Sequence, residues 1–205
     1  MSNDKYYITF LRHGESTGNQ ENRFQGHADF PLTDKGREQA RTLANHWQTA
    51  GVTFDHCFAS PLSRARETAE IVCAALKVPM ELDSNWMEMN NGKLAGLRSD
   101  EIDWDEPKFM TPYSRFGETG ESRMEIFNRA THGIQAILDR KPGRYLVVAH
   151  GGILNMAMYS ALSIYPQAHH NGPRFYFRNT TYADFSYDPK WHNWRLLKFD
   201  RSHWE

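Results

Sequence analysis

Cysteine is scarce in this chain: two residues in 205, Cys57 and Cys73. Two thiols make no disulfide framework, so the fold must rest on a hydrophobic core, and this length buries enough surface to build one. Charge imbalance is missing too. The 24 basic and 25 acidic side chains leave a formal net charge of −1, which argues against nucleic acid or an anionic membrane as partner. Any anion site must be local. No long apolar run goes uninterrupted: the stretch 145–165 contains His150, Gly151, Gly152 and Asn155 and reads as strand, turn and buried helix rather than a membrane span. No cationic-then-apolar leader opens the chain, so a cytoplasmic location is expected. Several kinds of phosphate and metal machinery are also wanting. There is no G-x-x-x-x-G-K-[ST] loop and no H-E-x-x-H, and Gly117–Gly120 is no dinucleotide fingerprint. Six residues separate Cys57 from Arg64, one too many for a thiol phosphatase loop. The adjacent His169 and His170 lack metal-ligand spacing and read as solvated loop. No metal and no cofactor is expected.

What is present alternates between strand and helix patterns. Tyr6–Leu11 is a short apolar, β-rich run that reads as a buried strand. Asn19–Pro31 is polar loop. Thr33 is a helix N-cap, although Gly36 at the third helical position leaves no full capping box. Ala40, Leu43, Ala44 and Trp47 follow helical spacing up to Gly51. Phe54–Ala59 is a second strand, with Cys57 in it. Ser60-Pro61 opens the next helix with proline at its first position, and Leu62, Ala65, Ala69, Val72 and Leu76 mark its buried stripe. Residues 90–121 show no clear period and read as a lid-like insertion with short helices at best. Phe127, Ala130, Ile134 and Ile137 mark a long helix ending near Pro142-Gly143. Tyr145–Ala149 is the third parallel strand, followed by a helix buried on nearly all sides, Ile153–Leu162. Thr180–Tyr187 and Trp194–Phe199 form a late hairpin around Asp188-Pro189. Trp191, Trp194, Phe199 and Trp204 fit core and edge packing better than a base-stacking platform. The expected architecture is one domain over 1–205, a three-layer α/β/α sandwich with a mostly parallel sheet and a small cap around 90–121. Sites in such folds gather at the carboxyl ends of strands.

Two of those ends carry chemistry. Arg12-His13-Gly14 follows the first strand, and His150-Gly151-Gly152 follows the third. Arg64 falls in the first turn of the helix after the second. Guanidiniums, imidazoles and helix N-termini are the groups that stabilise a phosphoryl group in transfer. His13 is the better nucleophile. Arg12 and Arg64 beside it would oppose imidazolium formation, and its other nitrogen should donate to a backbone carbonyl. Phosphohistidine formation would split one hard displacement into two. Glu88, in the apolar setting Trp86-Met87-Glu88-Met89, is the candidate proton donor. Each residue has a plainer reading: Asn19 as a turn residue, Gln25 as a loop residue, Glu15 as half of a salt bridge, Glu88 as a helix cap or the partner of a lysine.

Leu11-Arg12-His13-Gly14-Glu15-Ser16 resembles the signature of the histidine phosphatase superfamily, in its phosphoglycerate mutase-like branch. The likeness runs along nearly the whole chain. It takes in Asn19, Gln25-Gly26, Leu32-Thr33, Gly36, Gln39-Ala40, Ser60–Ala65 with Thr68-Ala69, Glu88 with Gly92 and Gly96, Gly120–Ser122 and Val148–Gly152. The resemblance implies a phosphoenzyme at His13, a phosphate pocket of Arg12, Arg64 and His150, contacts from Asn19, Gln25, Gly26 and Gly151, Glu88 as proton donor, and no metal. Leu94-Ala95 and Thr119 depart from the pattern around the substrate mouth. Tyr113-Ser114-Arg115 is a faint echo of the insertion with which mutases grip phosphoglycerates. The expected activity is therefore hydrolysis of small phosphorylated metabolites. A mutase-type isomerase and a non-catalytic phosphate-binding regulator stand as alternatives. Oligomeric state stays open, a homodimer included.

Overall fold

The computed structural model describes residues 4–103 and 110–200. Trp204 and positions 104–109 of the expected cap lie outside them. In chain order the elements are β1 (Tyr6–Arg12), α1 (Thr17–Gln20), α2 (Asp34–Thr49), β2 (His56–Ala59), α3 (Ser63–Leu76), β3 (Met80–Leu82), α4 (Arg123–Leu138), β4 (Arg144–Ala149), α5 (Gly151–Ala161), β5 (Tyr182–Asp188) and β6 (Asn193–Asp200). One six-stranded sheet runs in the order β3-β2-β4-β1-β5-β6. β1, β2, β3 and β4 are parallel, and the β5–β6 hairpin adds antiparallel to the edge at β1.

Alternation along the strands builds two cores. Phe10, Tyr145, Val147 and Ala149 point to a face covered by Ile126, Ala130, Ile134 and Ile137 of α4 and by Ile153 and Leu154 of α5. Their neighbours Leu11, Leu146 and Val148 point the other way, against Leu43, Ala44 and Trp47 of α2 and Ala69, Val72 and Cys73 of α3. With both faces of the sheet covered by apolar layers, β1 and β4 read as nearly continuous hydrophobic runs, broken in β1 by Thr9, whose hydroxyl donates to Asp184. Helices on both faces give the expected three-layer sandwich, with Cys57 and Cys73 as buried free thiols. No helix among the described residues is long and apolar enough to cross a membrane.

Several boundaries differ from expectation. β3, a three-residue edge strand parallel to β2, is too short to show a period, so Tyr145–Ala149 falls in the fourth strand, not the third. Pro61 is not the first residue of α3. Leu62 is the N-cap and offers no side-chain cap, so Asp29, from the distant loop, accepts the Ser63 amide at 2.8 Å instead. α4 stops at Leu138, and Pro142-Gly143 leads into β4. Its start is sharp because Ser122 and Glu125 form a reciprocal capping box. Thr33 caps α2 as expected. Gly36 stands at the third position there because the loop after β1 lies on it: an added Cβ would sit 2.0 Å from the Glu15 carbonyl oxygen.

The described part of 90–121 holds only 3-10 turns, Gly92–Leu94 and Ser99–Glu101. It is stitched to the loop after α1 by main-chain bonds between Phe24 and Leu97, Gly96 and Phe24, and Ser99 and Asn22. The rings of Phe24 and Phe116 stack at 6.1 Å. This contact between two aperiodic segments sets one wall of the cavity described next.

Candidate active site

Parallel pairing brings the carboxyl ends of three strands together. Arg12 is in register with Ala149 and Ala59 with Val148, so His13, His150 and Ser60 follow side by side. The His13 amide donates to Ala149 and the Ser60 amide to Val148, both at 3.0 Å.

The two imidazoles are 5.0 Å apart between centroids and hold opposite tautomers. His13 Nδ1 lies 2.6 Å from the Gly14 carbonyl oxygen. A carbonyl only accepts, so Nδ1 carries the hydrogen and Nε2 keeps its lone pair. At His150 the logic reverses. Arg64 Nε donates to Nδ1 at 3.2 Å, so Nε2 carries the hydrogen and donates to Ser60 Oγ at 2.8 Å. His150 is thereby bound at both nitrogens, whereas His13 has one nitrogen to spare. His13 is 2% exposed and His150 0%. Burial above all, then the guanidiniums of Arg12 and Arg64, holds His13 well below the ordinary histidine range. Burial, Arg64, His13 and Arg12 do the same to His150.

Arg64, 1% exposed, is pinned by the Ala28 and Gly26 carbonyls at 3.1 and 2.9 Å. Burial lowers it to about 10, against the pull of Glu88 and Asp29, so it stays cationic at neutral pH. Arg12 donates from Nη1 to Phe177 O at 2.6 Å. Its Nε is buried with no partner among the described residues, a donor left over at the site.

Glu88 lines the same cavity. Its Oε1 accepts from the amides of Met89 at 2.8 Å and Ile153 at 3.1 Å, and its Oε2 from Gly152 at 3.0 Å. The apolar setting expected for this carboxyl is therefore corrected: it is docked on the N-terminus of α5, where free amides point outward. A Cβ on Gly152 would lie 2.4 Å from Oε1, so only glycine admits this approach.

Asn19 and Gln25 line the cavity, each tied to Ser16. Asn19 Oδ1 accepts from Ser16 N and Oγ, and Gln25 Oε1 accepts from Ser16 Oγ. Gly26 adopts φ +50 and gives its carbonyl to Arg64. Gly151 does not line this cavity. It faces a neighbouring one, and its carbonyl takes Asn155 Nδ2. Glu15 pairs with Lys35 at 2.8 Å, the salt-bridge reading.

Four residues went unread in the sequence. Ser60 stands out in the sequence only as part of a motif, although its place after a strand matches that of His13 and His150. Arg129 donates to the carbonyls of Asn85, Met87 and Glu88 and pairs with Glu121 at 2.7 Å, clamping the Glu88 segment. Its signal was a cation on the inward stripe of α4, between Ile126 and Gly133. His27, for which no partner was expected, donates to the Glu88 carbonyl at 2.7 Å. Asn179 ties the His13 carbonyl to Asn19 Oδ1.

The cavity has a volume of about 890 Å³. A neutral imidazole with an unpaired nitrogen, close to the guanidiniums of Arg12 and Arg64, can attack an electrophile whose departing charge those cations stabilise.

Comparison with known proteins shows the family and the fold. The sequence model of the histidine phosphatase superfamily (branch 1) matches residues 8–200. A probable phosphoglycerate mutase GpmB of Cronobacter sakazakii is 34% identical over 164 residues, covering 77% of this chain and 75% of the relative. The Escherichia coli K12 protein of the same description is equally similar. Among solved structures, Bacillus stearothermophilus YhfR superposes with a TM-score of 0.84 at 30% identity, over 98% of this chain and 100% of the other. The fold is also shared with a mycobacterial glucosyl-3-phosphoglycerate phosphatase, TM-score 0.80 at 22% identity over 96% and 100% of the two chains. The chain belongs to the histidine phosphatase superfamily, branch 1, and is a phosphatase or a mutase.

Proposed function

We propose that the protein is a phosphomonoesterase that needs no metal and works through phosphohistidine at His13. The observation that carries this reading is the tautomer of His13, which leaves Nε2 unprotonated beside the charges of Arg12 and Arg64. Nε2 attacks phosphorus, the N–P bond forms, and the ester P–O bond breaks on the opposite side. Arg12 and Arg64 hold the equatorial oxygens, with Asn19, Gln25 and Gly26 completing the phosphate surroundings; His150, engaged at both nitrogens, acts behind them by orienting Arg64 rather than by touching phosphate, and Gly151 lies outside. Glu88 passes a proton to the leaving oxygen. In the second step Glu88 takes a proton from water, the hydroxyl oxygen attacks phosphorus, the N–P bond breaks and inorganic phosphate leaves. The guanidiniums supply the positive charge that a metal would otherwise provide.

Hydrolysis is favoured over transfer by the size of the cavity, which leaves room for water beside a small ester. A mutase reading has one observation behind it, the 34% identity to probable phosphoglycerate mutases. One assay separates the two: free phosphate release across a panel of phosphorylated metabolites, run beside interconversion of 3-phosphoglycerate. Phosphate release with slow interconversion supports the proposal. Rapid interconversion with negligible phosphate rejects it in favour of the mutase. Chelator leaves the rate unchanged, and a rate lost to chelator and restored by metal contradicts the mechanism.

A further inference from the structure

The catalytic cavity has a neighbour. A second cavity of about 340 Å³ lies against it, and Arg12, Met89, Gly152 and Arg174 line both. Its walls are of another kind. Ile126, Met156, Tyr159, Phe175 and Phe177 make it apolar and largely aromatic, and Met156, Tyr159 and Phe177 are buried at 5%, 1% and 3% exposure. It is also built rather than loose. Tyr159 Oη donates to Pro173 O at 2.8 Å, and Asn155 exchanges two hydrogen bonds with the main chain of Phe175, at 2.8 and 2.9 Å. These bonds strap 173–175 down on α5. Arg12 joins the two cavities mechanically, since its Nη1 holds Phe177 O.

The direction of the reaction points into this pocket. Attacking and leaving atoms lie roughly in line across phosphorus. With His13 on one side, the leaving oxygen departs toward Glu88, whose Oε2 accepts from Gly152. Gly152 belongs to the shared wall, so the carbon attached to that oxygen starts at the entrance of the side pocket. The other way out of the catalytic cavity runs past Arg23 and Arg98, whose charges already pair with Glu21 and Asp100.

We infer that the side pocket takes the carbon skeleton of the leaving alcohol, and that the preferred substrates are phosphomonoesters of alcohols carrying an aryl group. The inference rests on the reading that the phosphoryl group sits against His13. Non-hydrolysable probes test it apart from turnover. Calorimetry on the full chain compares 3-phenylpropylphosphonate with propylphosphonate. Burying the ring predicts about tenfold or greater preference for the phenyl compound. Met156→Phe, which fills the pocket, removes most of that preference. Tyr176→Ala, at a side chain 69% exposed and so safe for the fold, reduces it by roughly threefold. Equal affinity of the two phosphonates overturns the inference. So does a preference that both variants leave intact, since the ring would then lodge elsewhere. Binding of neither compound overturns this inference and the phosphate pocket together. Phosphate release from the matching esters reports separately: a phenyl preference without any hydrolysis keeps the pocket and removes the phosphatase reading.

Discussion

The floor of the catalytic cavity and its outer wall are made by opposite means. On the floor, His13, His150, Arg64 and Ser60 follow strand ends that the sheet holds in register, and His13, His150 and Arg64 are almost wholly buried. Most polar atoms there have a partner; His13 Nε2 is left without one, and Arg12 Nε is buried without one among the described residues. The wall, where residues 22–24 meet 96–99, consists of short turns and one isolated bridge. Its arginines are half-exposed and pair with their own sequence neighbours. A site organised this way keeps its chemistry fixed while the surroundings of the substrate can change with little effect on the fold.

If the floor carries the chemistry, His13→Ala costs the most. Its kcat falls by about 10⁴-fold or more while circular dichroism is unchanged, and no phosphate remains bound to protein quenched in alkali, where phosphohistidine survives. Activity within tenfold of the parent would end the nucleophile assignment. Glu88→Gln comes next, at about 10²–10⁴-fold. Its loss grows with the basicity of the leaving alcohol, since only poor leaving groups need the proton. A loss equal for p-nitrophenol and alkyl esters would show that Glu88 only positions α5.

Much of this floor could be read from the chain, and for a physical reason. A strand buried on both faces is apolar for most of its length, so the polar residues that end it stand out. Arg12-His13 and His150 were conspicuous in that way, and Arg64 followed from the helix after β2. The tautomer expected for His13 is the one found, because Gly14 turns its carbonyl back onto the ring. Glu88 lines the cavity, but its surroundings differ from the apolar setting its sequence neighbours suggest. Trp86, Met87 and Met89 are its neighbours in sequence, whereas Gly152 and Ile153, over sixty positions away, are its neighbours in space. Arg129 and His27 were missed for the same reason: they act on a backbone carbonyl that no side-chain pattern reveals. The wall was unreadable because two aperiodic segments pair there through main-chain bonds, to which side-chain identity contributes little.

Ser60 measures how far the floor depends on its second layer of contacts. Its hydroxyl accepts from His150 Nε2 and, at 3.3 Å, from the Leu62 amide. Ser60→Ala leaves both donors buried and unpaired, at about 1–3 kcal/mol for such a group. The melting temperature drops by at least about 3 °C in a chain of this size, and kcat falls roughly tenfold as His150 loses its orientation. An unchanged melting temperature would show that water replaces the hydroxyl. The histidines also leave a mark on stability. Their folded pKa values lie below the unfolded value near 6.5, so the unfolded chain binds protons that the folded one does not. Stability therefore falls as pH drops below about 6.5, by up to about 1.4 kcal/mol per pH unit for each histidine. Urea midpoints at successive pH values should show this slope, and His13→Asn should remove roughly half of it. A flat profile would mean that these rings protonate freely in the folded state.

The wall should yield the smallest effect, and that is what makes it informative. Arg98 reaches Asp100 at 3.1 Å with both side chains largely in solvent, and exposed pairs of this kind add little. The main-chain bridge between Arg23 and Arg98 survives truncation of the side chain. Arg98→Ala is thus expected to leave the melting temperature within about 1 °C and kcat within roughly twofold, with KM rising no more than about threefold. Steady-state kinetics on the best ester from the metabolite panel decides it. A large loss in kcat would mean that the wall closes on the transition state and shares in the chemistry. A large rise in KM alone would mean that Arg98 releases Asp100 to grip a second anionic group on the substrate, which would draw the alcohol toward the polar mouth and away from the aromatic pocket beside Gly152.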